Sequence, residues 1–451
     1  MCRTDSNNHS REIMGKNMLA IQQPSQQEWV IDVKSKLQYA SRSAEEALWS
    51  QHSIYRVPAG FGDPSRSKAY KPQVVSFGPY HHGKPRLKPM EEHKHRALLH
   101  FLQRSDKTLD DFMEALEEVV EELMDSYKQL DKAWRHRDKF LKLMIFDGCF
   151  MLEIFKTSED VPIDYAYNDP IFSKHGKLCI MPHIKRDMLM IENQLPLLVL
   201  KTLVAVQSGN PKDEEYINQL VMNFFATGSS TSKMGQRLHV LDVVRQSMLP
   251  DLVTGGKSTQ NKSATKSTTD VIWPATELHD AGIQFKMKET QMLKIEFKGG
   301  ILTLPQIIVD DATESKFLNL MAFEQFHAGA GTEVSSYVSF MDNIIDTERD
   351  VILLNKKKII KNFVGTDKAI AKLFNGISQD VSFDPDNSLG EVHKKVTAYC
   401  NKKWNRWRAN LWHTYFRSPW ALLSVLAAIF LLGVTVTQFV YSLIDFYHSK
   451  A

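Results

Sequence analysis

The apolar positions of this 451-residue chain fall into two kinds of pattern. Over most of its length they recur at spacings of three and four, the repeat that lines one face of an α-helix. Val30, Val33, Leu37, Ala40, Ala44, Ala47 and Leu48 make one such stripe, and Met90 to Gln103 another. Leu109, Phe112, Met113, Leu116, Val119, Val120, Leu123 and Tyr127 give the clearest one, with an acidic opposite face of Glu114, Glu117, Glu118, Glu121 and Glu122. Phe140 to Phe155 is apolar nearly all round, which predicts a buried central helix, and Met188 to Val206 reads the same way. Ile54 to Pro89 is rich in Pro, Gly and aromatic residues and predicts a loop region. Met292 to Phe297 and Ile301 to Val309 are short apolar-rich runs joined by Gly299-Gly300, the signal of a β-hairpin. Helical patterning resumes near Thr313 and continues, with breaks, to Arg417. The expected fold is mainly α with a small β element (α+β), without the internal period of a solenoid.

The second pattern has no polar face. From Trp420 to Ile444, 25 residues contain no Asp, Glu, Lys, Arg or His. As a helix this run is about 37 Å long, enough to cross a hydrocarbon core of about 30 Å with some tilt. Leu426, Phe430, Leu432 and Phe439 lie inside it, and Trp420 and Ile444 bound it. Aromatic residues flank both ends, as expected of side chains seated at an interface. Thr435, Thr437 and Ser442 can bond back to helix carbonyls, whereas the Gln438 amide needs a partner. It fits either a seat near the interface or a helix–helix contact, as do the small residues Ala427, Ala428 and Gly433, and so leaves room for a homo-oligomer formed through this helix. Lys402, Lys403, Arg406, Arg408 and Arg417 precede the run, with no acidic residue between Asn401 and Pro419. That bias places the bulk of the chain in the cytosol, as a single-pass protein of the plasma membrane or an endomembrane. Lys394 to Arg417 interleaves basic and aromatic residues; a helix against anionic lipid, a packed helix of the body and a nucleic-acid surface all fit.

The division expected is a disordered tail over 1–29, a globular body over 30–412, a juxtamembrane segment over 413–419, the membrane helix over 420–444 and a short tail over 445–451. Residues 252–270 are low-complexity and predict a flexible insert. The polar start predicts no signal peptide, so targeting is expected from the C-terminal run. A net charge of +3 leaves no overall basic footprint, and no nucleic-acid partner is expected. Four scattered cysteines exclude a disulfide framework, and Cys149 reads as a buried small hydrophobe. The sequons at Asn8 and Asn261 would be used only if the body faced a lumen.

Candidate chemistry is thin. Gly255-Gly256-Lys257-Ser258 imitates the end of a P-loop, but Asp251 stands where the motif needs glycine. His81 and His82 are adjacent and point opposite ways on an extended segment, and His93 and His95 lack the spacing of a helical zinc pair. No metal or cofactor is expected. Glu192-Asn193-Gln194 interrupts an apolar run; a buried polar network, with Arg186, Lys185 or a distant arginine as partner of Glu192, and an active-site acid are the two readings. Thr313 and Glu314 suit a helix start, with Thr313 as N-cap. Asp342 and Asp346 are expected to face Arg349 or solvent. No catalytic residue is assigned. The expected function is protein interaction or cell recognition with a lipid bilayer and an unidentified protein as partners; the alternative is a membrane-bound enzyme using Glu192 or the His81/His82 region.

Several strings resemble the plant domain-of-unknown-function-247 family. They are Ile54 to Pro58, Val74 to Gly83, Met90 to Lys94, Asp147 to Phe155, Met188 to Leu198, Ala275 to Gly282, Leu302 to Pro305, Asn319 to Glu324 and Pro419-Trp420. The resemblance covers roughly residues 30 to 444. One departure is Lys358, where the family often has glycine before paired isoleucines. The resemblance implies a land-plant protein with a C-terminal membrane anchor and no established enzymatic activity, and no catalytic residues to carry over. Similar members in grasses are male determinants of self-incompatibility, which makes pollen recognition the expected role if the source is a grass.

Overall fold

A computed structural model describes residues 26–39, 51–158, 164–210, 214–226, 233–249, 272–290, 292–379, 388–402 and 419–448, with single positions 42, 46 and 49. The chain divides into two units, Met1–Gln51 and His52–Ala451. The first contains helix α1 (Gln26–Tyr39), which begins four residues before the expected Val30 and exposes Trp29, Ile31, Val33 and Leu37. The insert 252–270, the sequons, the P-loop imitation, and Lys403, Arg406, Arg408 and Arg417 lie outside the described residues.

The second unit opens on irregular chain with two 3-10 turns, Pro64–Tyr70 and Pro85–Leu87. Helices α2 (Pro89–Gln103), α3 (Leu109–Glu117), α4 (Val120–Asp125) and α5 (Arg137–Lys156) follow, then α6 (Lys174–Cys179), α7 (Met181–Met188), α8 (Leu197–Ser208), α9 (Glu214–Phe225) and α10 (Val240–Met248). The stripe from Leu109 to Tyr127 is thus two helices. Val119 leaves helical geometry at φ −113°, ψ 7°, while the apolar residues stay in step across the break. The run from Met188 to Val206 is likewise not continuous. α7 ends at Met188, and a buried turn carrying Glu192, Asn193 and Gln194 leads to Pro196 and α8.

The buried central helix is α5, with fourteen buried residues. It packs against α2, α3, α8 and α9. Gly148 permits the crossing with α8, because a Cβ there would lie 2.6 Å from a Leu203 methyl and 2.9 Å from one of Val199. Cys149 is buried, as expected, and burial pushes its thiol pKa up.

The rest of the body contains α11 (Ala275–Asp280), β1 (Gln284–Lys288), β2 (Glu296–Lys298), β3 (Ile301–Pro305), β4 (Ile307–Val309), α12 (Thr313–Phe326), α13 (Glu333–Ile344), α14 (Glu348–Lys356), β5 (Ile360–Asn362), α15 (Asp367–Ile377) and α16 (Ser388–Cys400). The hairpin is present: β2 and β3 pair antiparallel, and Gly299 and Gly300 turn at φ 58° and 84°, where side chains with a Cβ are strained. Two parallel pairings, β1 with β3 and β4 with β5, complete the small sheets. Thr313 is the first residue of α12 rather than its cap. Its hydroxyl donates to Asp310 Oδ1 at 2.8 Å and accepts from Asp310 N at 2.9 Å, closing the turn before the helix. The fold is mostly helical with a few small strands.

The last helix, α17 (Pro419–His448), is longer than the expected 420–444 at both ends. Its Leu426–Ile444 segment is long and apolar enough to cross a membrane and is 0% buried. Leu426, Phe430, Leu432, Phe439 and Ile444 are all exposed on it; the side chain of Trp420 lies outside the description. Thr435 and Thr437 donate to the carbonyls of Leu431 and Gly433 at 2.8 Å, the back-bonding expected of them.

Candidate functional site

The segment Gln73–Gly78 crosses the interior without pairing in any sheet. Its buried amides need acceptors, and side chains supply them. Asp187, at the end of α7, accepts from the N–H of Gln73, Val74 and Val75 at 2.6–3.0 Å. Asn193 Oδ1 accepts from Phe77 N at 2.7 Å, and its amide nitrogen donates to Val75 O at 3.1 Å and Asp187 O at 2.9 Å. Asp147, from the middle of α5, accepts from Gly78 N at 2.8 Å. Gln194 donates to the carbonyls of Met188 and Met190 and accepts from Leu241 N, which ties the turn before α8 to α10. Asn319 of α12 accepts from Ile191 N at 2.9 Å and donates to Ala69 O at 2.9 Å. Five separate stretches of chain are joined by amide and carboxylate side chains acting as substitutes for strand partners.

The sequence-predicted candidates lie at this junction, and His81 and Glu192 meet. His81 Nε2 and Glu192 Oε2 are 2.8 Å apart, and Glu192 Oε1 accepts from Val57 N at 2.8 Å. Lys84 Nζ lies 2.6 Å from His81 Nδ1. Burial holds the His81 imidazole below its usual pKa against the pull of Glu192. A neutral ring fits both contacts: Nδ1 accepts from the ammonium, and the Nε2 proton goes to the carboxylate. The partners expected for Glu192 are engaged elsewhere. Arg186 pairs with Asp187 at 3.1 Å, and Lys185 donates to Phe224 O at 2.6 Å. His82 turns away, as adjacent histidines should, with its ring against Trp134 and Nδ1 3.7 Å from Glu91.

A buried ion pair lies below. Lys94 Nζ is 2.6 Å from Asp147 Oδ1, and both side chains are fully inaccessible. Lys94 also donates to Ser76 O at 2.6 Å and Glu91 Oε1 at 2.8 Å. Burial raises the Asp147 carboxyl to about 6 despite the opposing field of Lys94. Sequence reading missed this pair. The signal available was the charged Asp147 within an otherwise apolar helix face.

A second carboxylate centre joins α10, α12 and α13. Glu324 accepts from Arg245 Nε at 2.9 Å and from the N–H of Val334 and Ser335 at 2.9 and 2.8 Å. Asp350 performs the same service for Thr276 and Thr347. Asp342 is half-buried, with its carboxyl pKa raised by burial, and Asp346 is exposed. A cavity of about 540 Å³ is lined by Arg66, Arg186, Asp310 and Glu314 among others, but by neither His81 nor Glu192. Among the described residues no group of three His, Cys, Asp or Glu is placed to hold a metal.

The polar residues of the recognisable strings are therefore the ones that hold irregular buried backbone in a helical body. This chain belongs to the plant protein of unknown function family DUF247, which matches residues 54–434 and so reaches into α17. UPF0481 protein At3g47200 of Arabidopsis thaliana is 32% identical over 428 residues, covering 88% of this chain and 87% of the relative. Putative UPF0481 protein At3g02645 of the same plant is 23% identical, covering 91% of this chain and 93% of the relative. No solved structure matches the chain.

Proposed function

We propose that this protein is a membrane-tethered interaction module: α17 crosses the bilayer once, at the plasma membrane or an endomembrane, and the cytosolic body presents a helical surface to a protein partner. The observation that carries the proposal is the unburied Leu426–Ile444 segment, 19 residues of mean hydropathy 1.9 that no side chain among the described residues covers. Left in water, such a surface would aggregate; in lipid it is satisfied. Lys402 is exposed just before the juxtamembrane segment and supports a cytosolic body under the positive-inside bias. Tethering raises the effective concentration of the module at a surface, which suits recognition, including pollen self-incompatibility in a grass. Among the described residues the Gln438 side chain has no hydrogen-bond partner, and it offers a contact to a second copy.

One observation favours the enzyme alternative, namely that His81 and Glu192 converge. Both imidazole nitrogens and both carboxylate oxygens are already engaged, and both residues are buried. We therefore read the pair as a brace rather than an acid–base couple. The test is extraction of membranes with alkaline carbonate. The full chain is expected to stay in the pellet, and a chain ended before Trp420 to appear in the soluble fraction without its cellular function. Release of the full chain by carbonate would overturn the tether, and full function in the truncated chain would overturn its relevance. Capture of a protein partner by the membrane-embedded chain tests the interaction itself.

A further inference from the structure

The start of α5 carries the wrong charge for its place. A helix N-terminus has a positive dipole end and favours acidic residues. Residues 132–142 nevertheless hold five basic side chains, Lys132, Arg135, Arg137, Lys139 and Lys142, against one acidic residue, Asp138. Arg137 alone of the five is neutralised, by Glu117 and Glu121 of the neighbouring helices. The neighbouring acid Asp131 is taken by Arg56 at 2.5 Å. Lys132, Arg135, Lys139 and Lys142 are exposed and form no ion pair among the described residues.

Lys139 and Lys142, three residues apart, lie on one face of α5 just after Lys132 and Arg135. Lys139 Nζ sits 4.2 Å from the centre of the Trp134 ring, and Lys142 Nζ 5.6 Å from that of Phe146. The exposed His95 of α2 packs on the same Phe146 ring at 5.7 Å. The aromatic rings hold the lysine stems along the surface while the ammonium groups stay in water. Cations at this helix end oppose the helix dipole, so the arrangement favours an anionic partner.

We propose that this face docks the body on the anionic phospholipid headgroups of the leaflet that α17 enters. The inference rests on the reading of α17 as the anchor. Charge complementarity points to lipid, because the exposed cations are spread from the 3-10 turn Lys132–Trp134 along the start of α5 rather than gathered in a pocket. The tether makes the encounter local: Lys402 and Pro419 are 17 residues apart, which is at most about 60 Å of extended chain. Each cation close to an anionic leaflet is worth about fivefold in the docked-to-undocked ratio, so four give roughly two to three orders of magnitude at low salt. The second function is orientation. With α17 and this face both held, the opposite surface of the body is turned to the cytosol and its partner.

The test uses the full chain in lipid nanodiscs, with amide hydrogen exchange as the readout. In discs containing phosphatidylserine, the amides of 132–142 are expected to be protected relative to phosphatidylcholine discs. High salt and the variant Lys132→Gln/Arg135→Gln/Lys139→Gln/Lys142→Gln should each abolish the difference. The control Lys368→Gln/Lys372→Gln, on exposed α15 lysines, should keep it. Equal exchange in both lipids, in discs that hold the native chain, refutes the docking alone. Failure of the native chain to enter discs of either composition refutes the anchor and the docking with it. Protection that appears instead on adding an acidic protein to neutral discs assigns the face to a protein and overturns the lipid.

Discussion

Replacing Asp187 with alanine removes the acceptor for three consecutive backbone amides. The Asp187 carboxylate takes Val74 N at 2.6 Å, Val75 N at 3.0 Å and Gln73 N at 2.9 Å on Oδ2. Val75 is fully buried, so its N–H finds no water once the carboxylate is gone. An orphaned buried donor costs about 1–3 kcal/mol, and hydrogen bonds to a charged acceptor are worth about 1.5–3 kcal/mol each. Gln73 and Val74 reach the surface and recover part of their loss from solvent. Against this, the substitution releases a carboxylate whose pKa burial has raised, a cost that the folded chain no longer carries. The balance is a loss of about 3–4 kcal/mol. The assay is urea unfolding of the full chain in detergent, followed by tryptophan fluorescence, with the exposed Asp311→Ala as a control expected within about 0.5 kcal/mol of native. An Asp187→Ala chain within about 1 kcal/mol of native refutes the idea that side chains hold this segment in place of strand partners.

Three further outcomes are expected. His239 is fully buried, with Nδ1 accepting from Asp242 N and Nε2 donating to Ser53 O, and burial lowers its pKa to about 4. The unfolded chain therefore binds this proton more readily: stability falls as pH drops from about 6.5 to about 4, and His239→Gln should reduce that slope by about one proton in a titration of the unfolding midpoint. Lys358 sits at φ 61°, where glycine is unstrained, so Lys358→Gly should stabilise by about 0.5–1 kcal/mol, and a lower urea midpoint would refute the strain. Gly148→Ala drives a methyl into Leu203 and Val199 and should cost about 1–3 kcal/mol; a neutral result would show that α5 and α8 separate freely.

What could be read from sequence was local. The hairpin was legible because Gly299-Gly300 and its flanking runs are contiguous, whereas the parallel pairings of β1 with β3 and β4 with β5 join strands that share no turn. Periodicity carried the helices but could not see the break at Val119, where the apolar spacing continues through non-helical backbone. Glu192 was legible as a buried carboxylate in need of a partner. Its partner was not, since the nearby cations serve Asp187 and Phe224 while His81 arrives from 111 residues away. The positive φ at Lys358 coincides with the one position noted as departing from the family's glycine. The buried Lys94–Asp147 pair joins two helices whose patterns gave no hint of their mutual register.

The brace at Gln73–Gly78 also settles where the polypeptide can be cut. Its acceptors lie 112 and 116 residues downstream of Val75 and Phe77, so a fragment ending before α7 would expose a row of bare amides inside what should be dry interior. Closing so long a loop is costly before the contacts are made and rewarding only once all are made together. Residues 52–180 are consequently no separable module, and the deuterium uptake of those few amides should mark the collapse of everything at once rather than the fraying of a part.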